Sequence, residues 1–301
     1  MRRATWLIVS ILVVAQGAAA DPAGRVPAFI LEVPPSVGAV FVADAGAARI
    51  YQFEPDGDEL KLAHEGYMSI GENGVGKQRA WDRRTPLGIY FVVDQLDTSK
   101  LHEKYGVTAF PLDYPNTWDR RLARSGDGIW LHGVEQAGGQ RPPRDTDGCI
   151  ALPNDDLRKL EDEFEPLETP VIVAREMRWR SPAERAALRE ELLNAVETWA
   201  RYRSDADLHG YLSMYASDFR YRGMKLSEWA SLRVQRMQEH GPRRIEIDDV
   251  LLLADPEEPG LYLSRFEQTV TTGESRRTTT KRLYWRRSDS GSWSIVAEDN
   301  G

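Results

Sequence analysis

Cysteine is almost absent from this sequence, because Cys149 is the only one among 301 residues. A single cysteine cannot form a disulfide within its own chain. Histidine is also scarce, and the sequence has neither an HExxH motif nor the paired-cysteine spacing of a zinc site. The five histidines are scattered, at positions 64, 102, 132, 209 and 240. We therefore expect no metal ion and no other cofactor.

Basic residues are fewer than acidic ones, and long apolar runs are missing after the N-terminus. The chain has 39 Lys and Arg against 47 Asp and Glu, which gives a formal net charge of −8. An acidic protein lacks the cationic surface that binds phosphate backbones, so nucleic acid is an improbable partner. No later stretch approaches the roughly 20 apolar residues that span a bilayer. We expect no transmembrane segment.

Residues 1–20, MRRATWLIVSILVVAQGAAA, have the composition of an export signal. Arg2 and Arg3 precede an apolar run that is too short for a membrane span, and Ala18-x-Ala20 fits the small-residue cleavage rule. The mature chain is then expected to begin near Asp21. No cysteine lies near that point, so a lipid anchor is not expected. The sequence predicts a protein exported to the cell envelope.

Cys149 lies in a stretch that also holds a histidine seventeen residues earlier. Residues 129–131 form an apolar run typical of a short buried strand, and His132 follows where that strand would end. Asp147 and Gly148 are a turn signal before the cysteine, and residues 150–152 are apolar enough to re-enter a sheet. Cys149 and His132 are therefore expected at the ends of neighbouring strands.

This pairing favours nucleophilic chemistry. A thiol attacks only when it loses its proton, and a nearby imidazole can take that proton or stabilise the thiolate. The base needs a third group to fix its tautomer, and a loop carbonyl could serve. The alternative is that Cys149 is a small buried filler of the core. The polar, turn-forming residues 145–148 before it argue against that alternative.

The histidine-glycine pair at 132–133 and the TDGCIAL run at 146–152 together resemble the signature of the L,D-transpeptidase catalytic domain, the YkuD family. The segments 76–92 and 105–116 resemble further parts of that family, so the resemblance covers residues 38–175. It implies that Cys149 is the nucleophile, that His132 is its general base, and that the Gly133 carbonyl orients the imidazole. Backbone N–H groups of Gly148 and Cys149 would stabilise the oxyanion.

One position departs from the family pattern. Many members have an arginine two residues after the cysteine, and here Ala151 occupies that place. Arg141 and Arg144, on the loop between the two catalytic residues, are candidate replacements, or else ordinary solvated loop charges. The other candidate substrate-binding residues are Lys77, Tyr114 and Trp118; the aromatic residues of segment 94–124 could line a groove for an extended peptide or simply hold their loop on the sheet.

The chain reads as two domains after an extended lead-in at residues 21–37. Residues 38–175 predict a mainly β catalytic domain, a mixed sheet sandwich in which residues 89–93 form a central strand. Charged residues 175–182 suggest a boundary at which the two units are separable.

Residues 183–301 predict three helices followed by four strands, an α+β unit, and residues 198–219 resemble the cone-shaped NTF2-like fold. Its aromatic residues exceed what a small core needs, so some are expected to line a pocket for glycan, peptide or a protein partner. His209 is expected to be non-catalytic.

The resemblance implies a periplasmic enzyme that acts on peptidoglycan stem peptides. Cys149 would attack the carbonyl between an L-centre and the terminal D-alanine and form a thioester. If an amine resolves the thioester, the enzyme is an L,D-transpeptidase; if water resolves it, the enzyme is an L,D-carboxypeptidase that trims tetrapeptide to tripeptide. The domain combination and Ala151 resemble carboxypeptidases that control cell shape. The alternatives are a non-catalytic cell-wall-binding module and a papain-like protease, whose glycine-serine-cysteine-tryptophan context is missing.

Overall fold

The computed structural model describes residues 24–135, 139–240 and 243–301 of the chain. The expected signal peptide, residues 1–20, lies outside the described residues. Within the described part, no helix is long and apolar enough to cross a membrane.

The N-terminal half is built mainly from short strands. They are β1 (Val26–Pro27), β2 (Ile30–Glu32), β3 (Val40–Asp44), β4 (Arg49–Asp56), β5 (Glu59–Tyr67), β6 (Ile70–Gly71), β7 (Gly88–Phe91), β8 (Ala109–Pro111), β9 (Trp130–His132), β10 (Arg144–Thr146), β11 (Ile150–Ala151), β12 (Pro170–Ala174) and β13 (Trp179–Arg180). The helices are α1 (Thr117–Arg121) and α2 (Asn154–Leu160), with 3-10 turns at Thr98–Lys100, Glu103–Tyr105 and Glu161–Glu163.

Two sheets of this half pack face to face. One has five strands in the order β5-β4-β3-β12-β7, and the other has three in the order β11-β9-β8. In the large sheet, β12 runs parallel to β3 and antiparallel to β7, so the sheet is mixed. Phe41 of the large sheet, Leu131 and Ile150 of the small sheet, and Phe164 share one core. The expected mixed sandwich is confirmed, and the three-stranded sheet is the one that carries His132.

The expectation of a central strand at residues 89–93 is wrong, because β7 is an edge strand of the five-stranded sheet. Its side chains are nevertheless buried on both faces: Ile89 and Phe91 belong to one core, and Tyr90 and Val92 to another. A continuous apolar run reports that both faces are covered; on the outer edge of β7 the pairing is a single bridge from Val92 to Leu112.

The C-terminal half consists of three helices and a long sheet. Its elements are α3 (Pro182–Ser204), α4 (Leu208–Ser213), β14 (Tyr215–Tyr221), β15 (Met224–Lys225), α5 (Leu226–His240), β16 (Arg244–Ala254), β17 (Leu261–Thr272), β18 (Ser275–Arg287) and β19 (Trp293–Asp299). Helix α3 begins as expected: the Ser181 side chain accepts from the Glu184 N–H, the Glu184 carboxylate accepts from the Ser181 N–H, and Pro182 opens the first turn. The α+β prediction is confirmed, although β14 was not anticipated.

Of the aromatic residues of this half, Tyr262 lines a cavity of about 560 Å³, whereas four others form a packed core. Trp199, Tyr211, Tyr215 and Trp229 are all buried beneath the helices. The Tyr215 and Trp229 ring centroids are 4.3 Å apart, and the Tyr215 hydroxyl accepts from the Trp199 indole at 2.9 Å. The sequence argument for a glycan or protein partner here, which was based on spare aromatic residues, is therefore not supported by these four side chains.

The two halves are joined by strand pairing and by a common core. The sheet of the C-terminal half has the order β15-β14-β19-β18-β17-β16-β2, so the lead-in strand β2 forms its last strand. Strand β1 pairs with β13. Val40 and Ile172 of the five-stranded sheet share a core with Leu253 and Val296 of the seven-stranded sheet. The shared strand and core argue against the expectation that the two units are separable near residues 175–182, because one face of each large sheet packs against the other half.

Candidate active site

Cys149 and His132 lie on one face of the small sheet. Strands β9 and β11 run parallel, with Ile150 opposite Leu131 and Ala151 opposite His132. The same register puts Cys149 opposite Trp130, which is two residues before His132 and therefore points to the same face. The two residues are thus about 7 Å apart along the strand direction and on adjacent strands. The thiol donates to the Gly128 carbonyl at 3.4 Å.

The turn before Cys149 is held by two threonine hydroxyls. The Thr146 hydroxyl accepts from the Gly148 N–H at 3.1 Å and donates to the Cys149 carbonyl at 2.7 Å. The Thr85 hydroxyl donates to the Gly148 carbonyl at 2.9 Å. Gly148 has φ of 128°, and a Cβ there would lie 2.8 Å from the Arg84 carbonyl oxygen, so only glycine fits. The Gly148 N–H, one of the two expected oxyanion donors, is therefore already bonded to Thr146. The same threonine holds Cys149 at the end of the turn.

The imidazole of His132 is buried, with 3% of the residue exposed. Its Nδ1 lies 2.5 Å from the Gly133 carbonyl oxygen, so the proton on Nδ1 donates to that carbonyl. This contact leaves Nε2 as the unprotonated nitrogen of the neutral ring. The Tyr105 ring packs edge-on against His132 at 5.2 Å between centroids. The imidazole is thus fixed in both tautomer and orientation.

Asn154 holds the Gly133 segment in place, and the sequence analysis missed this role. Its side-chain oxygen accepts from the Val134 N–H at 3.0 Å, and its amide donates to the Val134 carbonyl at 2.8 Å. A Cβ on Gly133 would lie 2.2 Å from the Asn154 oxygen, which leaves no room for another residue. Asn154 is the first residue of α2, and its side chain turns back from the helix start to the active-site loop.

Burial sets the charge state of the pair. It lowers the pKa of His132 to about 4, and the nearby cations Arg141 and Lys104 add to that decrease, while the Gly133 contact opposes it. Burial also raises the pKa of the Cys149 thiol, against a backbone hydrogen bond from Trp130 and the charge of Lys104. At neutral pH the pair is therefore a neutral thiol beside a neutral imidazole. Such a pair suits general-base activation at the moment of attack.

The pair opens into a cleft of about 770 Å³, within the usual size range of ligand sites. Its charged lining comprises Glu72, Lys77, Arg83, Lys104, Asp127, Arg141, Asp145 and Asp147, and its other side chains include Trp81, Tyr105, His132 and Cys149. Every residue of this lining comes from positions 72–149, in the N-terminal half.

The candidate substrate-binding residues differ in whether they line the cleft. Arg141 lines the cleft, and its guanidinium donates to the carbonyls of Asp145 at 3.0 Å and Lys104 at 3.2 Å. Lys77 also lines the cleft, but its amine is buried against Asp82 at 2.9 Å. Arg144 is exposed on β10 and is not part of the cleft lining.

Tyr114 and Trp118 do not reach the cleft, so the substrate-binding role expected for them is not supported. The Tyr114 hydroxyl donates to the Ser125 carbonyl at 3.1 Å, and its ring packs against Tyr90. Trp118 stacks on Tyr284 of the C-terminal half at 6.3 Å between centroids. Both are buried, because they hold their loop on the sheets. Of the aromatic residues in that loop, Tyr105 is the one that lines the cleft.

The described residues contain no group of three or more His, Cys, Asp or Glu placed to hold a metal ion. The features that do converge are a fixed imidazole and a thiol at the ends of parallel strands, on a mixed β sandwich joined to an α+β domain. They make up a candidate cysteine–histidine site.

Each half of the chain matches a known family model. Residues 38–173 match the L,D-transpeptidase catalytic domain, YkuD, and residues 191–299 match the Cds6 C-terminal NTF2-like domain. The chain thus carries an L,D-transpeptidase-family domain followed by an NTF2-like domain, as its motifs predicted.

Two solved structures share the whole two-domain fold. Bd1075 of Bdellovibrio bacteriovorus is 24% identical, with a TM-score of 0.77, and the match covers 92% of this chain and 98% of that one. The helical cell shape determining protein Pgp2 of Campylobacter jejuni is 23% identical, with a TM-score of 0.77, over 92% and 96% of the two chains. No curated protein sequence matches the chain.

Proposed function

We propose that this protein is a cysteine-dependent enzyme that cleaves the bond before the terminal D-alanine of peptidoglycan stem peptides through a thioester. The observation that carries the proposal is the placement of Cys149 and His132 on one face of adjacent parallel strands, with the imidazole Nδ1 held by the Gly133 carbonyl at 2.5 Å. Residues 1–20 and the extracytoplasmic location of peptidoglycan support export to the periplasm.

The first step follows from the neutral state of the pair. The His132 Nε2 takes the thiol proton as the Cys149 sulfur attacks the carbonyl carbon, and a C–S bond forms. The carbonyl oxygen becomes an oxyanion, for which the Cys149 N–H is our candidate donor, since the Gly148 N–H is bonded to Thr146. As the C–N bond breaks, His132 returns the proton to the leaving amine, and D-alanine departs from the thioester.

For the second step we favour water over an amine, so that the net reaction is L,D-carboxypeptidation of tetrapeptide to tripeptide. Ala151, in place of the arginine that many family members have, supports this branch. The shared fold with a helical cell shape determining protein supports a role in cell shape. Transpeptidation uses the same thioester and the same residues, and it differs only in the acceptor.

The test is mass spectrometry of purified muropeptides incubated with the protein and with Cys149→Ala. We expect tripeptide and free D-alanine with the native protein and neither product with the variant, with a loss of at least a thousandfold in rate. The melting temperature of the variant should stay close to that of the native protein, because Cys149 is at a strand end. Cross-linked dimers would assign the transpeptidase instead, and binding without products in either sample would assign a cell-wall-binding module.

A further inference from the structure

Trp81 lies fully exposed at the edge of the active-site cleft. It is 95% exposed, while the other tryptophans in the described ranges are buried or half-buried. It belongs to the same cleft lining as Cys149 and His132. An indole left in water forgoes the burial that a large aromatic ring normally gains on folding. Such exposure beside a reaction site indicates that a ligand supplies the missing contact.

The exposure of Trp81 comes from an ordered loop. The carboxylate of Asp82 accepts from the Lys77 amine at 2.9 Å and from the backbone N–H groups of Gln78 at 2.8 Å, Arg79 at 3.1 Å and Arg84 at 3.1 Å. The Lys77 side chain is only 4% exposed. These bonds fix the backbone on both sides of the tryptophan, whose own φ is 62°. A non-glycine residue in this left-handed conformation is uncommon, and it is held here by the surrounding bonds.

The cleft offers both charged groups and an exposed indole to a ligand. Near the thiol, Lys104, Arg141 and Asp147 offer charges that suit a peptide rich in carboxylates and amines. A stem peptide of alanine, glutamate and a diamino acid has no large apolar side chain to cover an indole. The amino sugar that carries the stem does have an apolar C–H face, and its hydroxyl and N-acetyl groups can bond to Arg83 and Glu72 beside Trp81.

We propose that Trp81 is a stacking platform for the amino-sugar ring to which the stem peptide is attached, so that the enzyme prefers glycan-linked stems over free peptides. This inference rests on the function proposed above. It makes Trp81 a specificity residue of the same cleft.

The test compares two substrates, free tetrapeptide and disaccharide-tetrapeptide, with the full-length protein. We expect Trp81→Ala to lower the ratio of kcat/KM for the disaccharide form to kcat/KM for the free form by roughly three- to tenfold. The loss should come mainly from KM, and Trp81→Phe should restore most of the ratio because it keeps a flat ring. Leu62→Ala is the matched control: Leu62 is also an exposed large apolar residue, at 47%, but it lies outside this cleft. The control should leave the ratio unchanged.

A binding measurement separates this inference from the proposed reaction. Calorimetry on Cys149→Ala and on Cys149→Ala with Trp81→Ala measures affinity for both ligands without turnover. A lower affinity for the disaccharide form alone supports the stacking role even if the native enzyme turns over neither substrate. An equal loss on both ligands would mean that Trp81 contacts the peptide, and no loss on either would mean that it contacts neither; each result overturns the proposal.

Discussion

The protonation state of His132 controls whether the site can act. The ring is buried at 3% exposure, and its pKa falls from 6.5 to about 4. The neutral ring is therefore the resting form over the whole physiological range. A thiolate–imidazolium pair would instead need a raised histidine pKa and a lowered thiol pKa, and burial shifts both groups the other way.

This predicts the acid limb of the rate profile. We expect kcat/KM to rise with pH through about 4 and to be level from about pH 5.5 to 7, because His132 must be neutral to take the thiol proton. The profile should be measured with a stem peptide, and KM should be determined at each pH. This separates titration of the substrate's own ionisable groups from titration of His132. A limb centred near 6.5 instead would show that the imidazole is not desolvated in solution.

The same shift affects stability. The pKa of His132 is lower in the folded protein, so the unfolded chain binds the proton more tightly. The contribution of His132 to the free energy of unfolding is therefore present above pH 6.5 and is lost as the pH falls through about 4. The full effect corresponds to about 3 kcal/mol. We expect His132→Gln to flatten the fall in unfolding free energy between pH 6.5 and 4, measured by urea titration at each pH. An unchanged slope would assign the acid sensitivity to other groups.

Arg141 and Arg144 illustrate what sequence can and cannot separate at this scale. Both lie on the loop before Cys149, and their residue type is identical. They differ in position relative to the cleft. Arg144 belongs to β10, which pairs with β6, and lies outside the cleft lining. Arg141 lines the cleft and donates to the Asp145 and Lys104 carbonyls. No local pattern predicts that difference. Arg141 is the stronger candidate for the position that Ala151 leaves vacant.

We therefore predict that Arg141→Ala raises KM for tetrapeptide by roughly ten- to a hundredfold, because a charge-assisted bond to a substrate carboxylate is lost. Arg144→Ala is the matched control, and steady-state kinetics should show little change for it. If both variants behave like the native enzyme, neither arginine replaces the family's usual one, and the candidates left in the cleft lining are Lys77, Arg83 and Lys104.

At the scale of elements, the sequence predicted the strand ends that hold His132 and Cys149, because the signals for them are local. The apolar run before His132 and the Asp147-Gly148 turn before Cys149 each define a strand end within a few residues. The role of Asn154 was missed for the opposite reason. A helix start next to Pro153 is local, but the bonds from Asn154 to Val134 join residues twenty positions apart. The side chain thus acts as a positioning residue across two elements.

Asn154→Ala should release the Gly133–Val134 segment, at a cost of about 1–3 kcal/mol for the groups left without partners. Because the Gly133 carbonyl then no longer fixes the His132 tautomer, we expect kcat to fall by at least tenfold while KM changes little. Leu160→Ala, a buried residue on the same helix, is the control for simple destabilisation. If Leu160→Ala lowers kcat as much at equal stability loss, Asn154 has only a structural role.

For the whole molecule, strand pairing between the two ends of the chain decides how many folding units there are. Strand β2 pairs with β16, more than 200 positions later, through Leu252 opposite Glu32 and Leu253 opposite Ile30. A charged linker at residues 175–182 is a local sign of a boundary, and it carries no information about such a pairing. The family boundaries alone would therefore mislead an experiment on the isolated catalytic half.

We predict that a chain truncated after Arg178 does not fold into a stable domain. Truncation removes the partner strands β13 and β16, and it exposes the apolar face that Val40, Ile172 and Phe91 bury against the second sheet. It also removes Arg282, which pairs with Asp113 at 2.7 Å. Exposing so large an apolar face costs more than the net stability of a typical domain.

Circular dichroism and thermal melts should show one cooperative transition for the full chain and none for the truncated form, with Cys149→Ala full chain as the inactive but folded control. A truncated form that melts cooperatively and still trims tetrapeptide would show that the shared core is dispensable.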